Sequence, residues 1–157
     1  MIYWSREDTP ESVALQLWGT VFSVPQISSR FFDITPAQTA VLKNYLDFWI
    51  AHRDTLTEGR ISAKLCENGY GYTEAEADGE TVAILSSSPV AHLSKKKNTF
   101  LINLTDSNSL IIKNMTGAEM RLRIFDCMGK EVSSFCTCEE LFEVKTGVGC
   151  LTEVCFA

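Results

Sequence analysis

The sequence predicts an α/β segment followed by an all-β antiparallel sandwich. Three observations predict it. Two helices with complete N-terminal caps lie before Asp54, each preceded by a short apolar run. After Asp54 no helical stripe recurs, and short apolar runs alternate with Gly-, Asn- and Ser-rich breaks. Asp78-Gly79, a strong turn signal, lies between two of those runs and reads as a two-residue hairpin.

Taken in order, Ile2–Trp4 is an apolar run that reads as a strand. Thr9-Pro10-Glu11 then opens a helix. The Thr9 hydroxyl can accept from a first-turn N–H, Pro10 suits the first helical position, and Glu11 favours the positive end of the helix dipole. Ala14, Leu17, Trp18 and Val21 form its apolar stripe, which carries the helix to Val21 or Phe22. Phe22–Ile27 reads as a second strand, with Pro25 unable to donate to a central ladder. Thr35–Asp54 is the clearest helix. Thr35 caps it, Pro36 follows, and Gln38 completes a capping box. Its stripe of Ala37, Val41, Tyr45, Phe48 and Trp49, widened by Leu42 and Leu46, is broad and aromatic and demands a large partner.

The order strand, helix, strand, helix is the repeat of a parallel α/β sheet. Two such strands leave both sheet edges unpaired, so the segment reads as the tail of a larger sheet or barrel. A boundary between Thr57 and Arg60 divides the chain into residues 1–59 and 60–157. The strands expected beyond it are 61–66, 71–77, 81–85, 99–104, 110–113, 119–125, 131–135, 141–144 and 151–156. Within 119–125, Met120, Leu122 and Ile124 recur at strand period.

The 157 residues carry a net charge of −6. That balance argues against nucleic acid as a partner, since such proteins usually show a basic face. The single basic run, Lys95-Lys96-Lys97, reads as a solvated loop. No stretch is long and apolar enough for a membrane helix, and M-I-Y-W-S-R-E-D lacks the form of a signal peptide, so a cytoplasmic protein with reduced thiols is expected. Asn103-Leu-Thr105 and Asn114-Met-Thr116 match the glycosylation pattern, which matters only on the secretory route.

No phosphate loop, serine elbow, zinc helix or calcium loop is present, and no metal or cofactor is expected. His52, near a helix C-terminus, reads as structural. In parallel α/β folds ligands bind at the carboxyl ends of strands. Those ends are Trp4-Ser5-Arg6-Glu7-Asp8 and Gln26-Ile27-Ser28-Ser29-Arg30, so Trp4, Arg6, Asp8 and Gln26 are the candidate substrate-binding residues. An aromatic platform, an arginine fork and carboxylates suit a sugar or an anion. The competing reading makes Arg6 and Glu7 solvated and Asp8 a helper of the Thr9 cap.

The runs M-I-Y-W-S-R-E-D-T-P-E-S-V-A-L-Q-L, F-S-V-P-Q-I-S and L-K-N-Y-L-D-F-W-I-A-H-R-D-T-L-T-E-G-R resemble the end of the catalytic barrel in bacterial α-galactosidase-like enzymes of glycoside hydrolase family 36. F-D-C-M-G-K and V-K-T-G-V-G-C-L-T-E-V resemble the C-terminal β-sandwich of the same enzymes. The resemblance implies that residues 1–59 are the last two βα units of a TIM-barrel-like domain and that 60–157 are the sandwich. It also implies a retaining hydrolysis of α-galactosides by two aspartates about 5 Å apart. Those aspartates match no position here, so no catalytic residue is carried over and the chain alone is expected to be inactive. A non-catalytic carbohydrate-binding module is an alternative, with Tyr70, Tyr72 and Phe100 as possible platforms. Self-association through exposed helix stripes, giving a homo-oligomer, is another.

Overall fold

The computed structural model describes residues 2–30, 32–66 and 69–156. It corrects the predicted fold class. The described residues form three helices and ten strands, and the protein is mostly β. The helices are α1 (Pro10–Trp18), α2 (Pro36–Ala51) and α3 (Arg53–Glu58). The strands are β1 (Arg60–Cys66), β2 (Gly69–Glu76), β3 (Glu80–Leu85), β4 (Val90–Leu93), β5 (Asn98–Asn103), β6 (Ser109–Asn114), β7 (Met120–Phe125), β8 (Glu131–Thr137), β9 (Leu141–Lys145) and β10 (Leu151–Phe156).

The two strands expected before α2 do not form, so residues 1–59 are no pair of barrel βα units. Ile2 and Ile27 touch in one isolated parallel bridge, with Ile2 N–H donating to the Gln26 carbonyl and Ser28 N–H to the Ile2 carbonyl, both at 2.9 Å. The contact goes no further as a ladder for two reasons. The Trp4 N–H turns to the Ser29 hydroxyl instead (2.9 Å), and Pro25 has no N–H to offer. The helix boundaries also move. α1 stops at Trp18, and the long predicted helix breaks at His52, whose φ of −112° and ψ of 15° separate α2 from α3.

The β region follows the predicted runs closely, but its topology is not purely antiparallel. A seven-stranded sheet has the order β1-β2-β3-β5-β10-β7-β8, and a three-stranded sheet the order β4-β6-β9. β3 pairs with β5 in parallel, as does β4 with β6. The cause is the crossing at residues 86–97. The chain leaves β3, runs through the other sheet as β4, and returns beside β3 in the same direction. β4, V-A-H-L between Ser/Pro and Ser/Lys segments, was too short to be predicted. Asp78-Gly79 joins β2 and β3 as expected, with Gly79 at φ +92°.

The large sheet is covered on both faces, because its central strands are apolar on both. Ala83, Leu85, Leu101, Met120, Leu122 and Val154 face the small sheet, where Leu93, Leu110, Ile112 and Val144 complete a core. Val82, Phe100, Ile102 and Leu151 face the helices and join Trp4, Val13, Leu17, Trp18, Val41, Tyr45 and Phe48 in a second core. That core draws on residues from both sides of Gly59. An aromatic chain binds its layers: Trp18 meets Tyr45 and Phe48 at 5.3 and 5.2 Å, and Phe48 meets Phe100 at 5.4 Å, all edge to face. The broad stripe of α2 therefore has its partner within the chain.

Both glycosylation-pattern asparagines serve as loop braces. Asn103 and Asn114 are buried, and each accepts from the backbone N–H and the hydroxyl of the threonine two residues on. Lys95 and Lys97 both pair with Glu76.

Candidate functional site

The bridge between Ile2 and Ile27 has one consequence for function: it brings the segments that follow them together. Ser29, buried at 6 % exposure, accepts from the Trp4 N–H and donates to the Trp4 carbonyl at 3.3 Å, extending the contact with a side chain. Beyond it the two segments diverge around a cleft of about 400 Å³, lined by Tyr3, Trp4, Ser5 and Arg6 on one side and Ser28, Arg30, Asp33 and Ile34 on the other. Tyr3 is 61 % exposed, and Arg6 and Arg30 are exposed.

The four predicted binding residues separate here. Arg6 lines the cleft. Trp4 lines it too, but its side chain is 2 % exposed and belongs to the core, so it supports the cleft and offers no open platform. Asp8 lies outside the lining and works as an anchor: its carboxylate accepts from Ser5 N–H at 2.7 Å, the Ser5 hydroxyl at 3.1 Å and the Ser12 hydroxyl at 3.3 Å. The Ser5 N–H first, then the Ser5 hydroxyl, with help from Ser12, hold this carboxyl below its ordinary value against the opposing effect of burial. Gln26 is exposed and contributes its backbone carbonyl to the bridge.

A residue that sequence reasoning treated only as a cap proves central. Gln38 is fully buried. Its Oε1 accepts from Thr35 N–H at 2.9 Å, completing the capping box. Its Nε2 reaches across to the first segment and donates to the carbonyls of Ser5 at 2.9 Å and Asp8 at 2.7 Å, with Arg6 at 3.4 Å. One amide thus ties the start of α2 to the loop that carries Arg6. Its position gave a signal, since residue 38 lies three, four and seven before Val41, Leu42 and Tyr45, on the buried stripe.

A second cleft, about 660 Å³, lies where α3 meets the β2–β3 turn and is lined by His52, Thr55, Glu58, Glu76, Asp78 and Glu80 among others. His52 packs between Phe48 and Phe100 with its ring tilted to both, each centroid 4.3 Å away, and its Nδ1 lies 3.0 Å from Glu80 Oε2. The Thr55 hydroxyl donates to the other Glu80 oxygen. His52 Nδ1 and the Thr55 hydroxyl thus meet one carboxylate and join helix to sheet, which makes the trio a brace. Among the described residues no three His, Cys, Asp or Glu side chains cluster as a metal site.

Compared with protein-family models, curated proteins and solved structures, the chain matches none.

The sandwich offers less to a ligand than the first cleft. Of its three aromatic candidates, Tyr72 and Phe100 are buried and Tyr70 is exposed. Burial and the neighbouring Glu74 push the Tyr72 hydroxyl well above its ordinary pKa. Of the thiols, Cys127 is buried and pushed up to about 11, chiefly by desolvation, while Cys136 and Cys138 are exposed on the edge strand and just after it. No helix among the described residues is long and apolar enough to cross a membrane.

Proposed function

We propose that the chain is a non-hydrolytic C-terminal portion of an α-galactosidase-like glycoside hydrolase, and that the Tyr3–Arg6 and Ser28–Ile34 cleft is its sugar-contacting surface. One observation carries the reading. The two segments that carry the candidate binding residues, more than twenty residues apart, share a single cleft and are fastened there by Ser29 and Gln38. Its lining suits a sugar. Tyr3 offers an exposed ring to C–H faces, and arginine N–H groups and the Asp33 carboxylate match ring hydroxyls as donors and acceptor. The two aspartates of retaining hydrolysis match no position in the chain, so its part is binding and orientation.

Isothermal titration with galactose tests this. A saturable heat with a Kd of about 1–10 mM is expected, as suits an open cleft on one chain. Tyr3→Ala and Asp33→Ala should each abolish it, and p-nitrophenyl α-galactoside should release no nitrophenol. Absence of saturation up to about 100 mM galactose, a range that covers dissociation constants of up to tens of millimolar, refutes the reading. So does hydrolysis by the chain itself.

A further inference from the structure

We infer that this cleft takes an acidic sugar, a hexuronate-type ligand bearing one carboxylate on a hydroxylated ring. The inference rests on the reading of the cleft as a sugar surface and adds the chemical class.

The charge arrangement carries it. Acidic residues outnumber Lys and Arg by 20 to 14, and four cations among the described residues pair with carboxylates. Arg123 sits between Glu131 and Glu153, Lys95 and Lys97 share Glu76, and Lys43 pairs with Asp47. Arg6 and Arg30 do not. Both line the same 400 Å³ cleft, and neither forms an ion pair among the described residues. Asp33 shares the lining and its N–H donates to the Arg30 carbonyl at 2.9 Å, yet its carboxylate pairs with neither guanidinium. Asp8, the acid nearest Arg6 in the anchoring loop, is occupied by Ser5 and Ser12.

Two arginines and one aspartate give the lining a net charge of +1. A guanidinium binds a carboxylate by two parallel N–H···O bonds, a geometry a hydroxyl cannot copy. The Asp33 carboxylate then accepts from ring hydroxyls, and Tyr3 supplies the apolar face. A phosphate fits less well. The lining holds no glycine, its Trp4 and Ser5 N–H groups are taken by Ser29 and Asp8, and Asp33 repels a dianion.

The test is titration of the full chain with D-galacturonate, D-galactose and inorganic phosphate at low salt. Galacturonate should bind about tenfold tighter than galactose, the gain two exposed ion pairs of modest strength supply. The gain should shrink as salt rises toward 0.5 M, because exposed charges are screened. Arg6→Gln and Arg30→Gln should each cut the galacturonate preference to about threefold or less, each removing one of the two pairs. Both substitutions lie on exposed side chains, so an unchanged Tm will accompany them. Equal affinity for galactose and galacturonate overturns the inference and leaves the sugar surface standing. Phosphate binding as tight as galacturonate overturns it in favour of a bare anion site. No binding of either sugar overturns both readings.

Discussion

Gln38→Ala separates a cap from a keystone. As a cap alone, Gln38 contributes one side-chain acceptor to Thr35 N–H, and its loss would cost about 1 kcal/mol, as for other capping groups. The structure gives it more. The side chain is fully buried and makes one bond as acceptor and two good bonds as donor, to Ser5 and Asp8 carbonyls 30 or more residues away in sequence. At a net contribution of about 0.5–1.5 kcal/mol per bond, plus the penalty for partners left dry, the loss should reach about 2–4 kcal/mol. With a urea m-value of about 2 kcal/mol/M, the midpoint should fall by about 1–2 M with m unchanged. Trp4 and Trp18 are buried in the same core and report unfolding by fluorescence. Gln38→Glu should be nearly as costly. It keeps the acceptor toward Thr35 but turns a second oxygen on the Ser5 and Asp8 carbonyls. A loss below about 1 kcal/mol in Gln38→Ala, or a well-tolerated Gln38→Glu, would show that the cross-chain bonds contribute nothing beyond the cap.

Three further outcomes follow from the packing. Gly149→Ala should lower Tm by more than about 5 °C in calorimetry, because φ is +73° and a Cβ there would sit 2.6 Å from the Ala14 Cβ on α1; an unchanged Tm refutes that contact. Phe100→Ala should cost about 3–5 kcal/mol in urea unfolding, since the ring packs on both Phe48 and His52 between sheet and helices; a cost near 1 kcal/mol would mean the helices do not lean on this face. The Lys95 and Lys97 ammonium groups hold the Glu76 carboxyl down to about 2, from an ordinary 4.5. Because the folded-state value is depressed, the stabilisation is present above pH 4.5 and is lost as pH falls from 4.5 toward 2. Solvent screening keeps it below about 1 kcal/mol. Glu76→Gln should therefore lower the urea midpoint at pH 6 and converge on the parent protein near pH 2.5; parallel midpoints across that range contradict the pairing.

The two helix starts were written in the chain. Thr9-Pro10 and Thr35-Pro36 with Gln38 cap helices by contacts within four residues, and the structure begins both helices there. Most strands were legible for the same reason, because period-two alternation and Asp78-Gly79 act over a few residues. A clue to the layer order was also present. T-V-A-I-L and T-F-L-I run apolar without alternation, the mark of strands covered on both faces, and both proved to lie between the helices and the small sheet.

What no local pattern contained was which partner each apolar stripe would find. The stripe of α2 demanded a large surface, and a barrel wall and the outer face of a β-sheet satisfy that demand equally, because burial of apolar area is non-directional. Tertiary structure chose Val82, Phe100, Ile102 and Leu151. It likewise limited Ile2 and Ile27 to one bridge, since a strand exists only where a neighbour supplies its ladder. The cleft shows the same division. The residue type at Arg6 marked chemistry in the sequence and Arg30 passed as part of a polar strand exit, but their sharing one cleft depends on Ser29 and Gln38 acting across 25 to 33 residues, a distance no capping or periodicity rule spans.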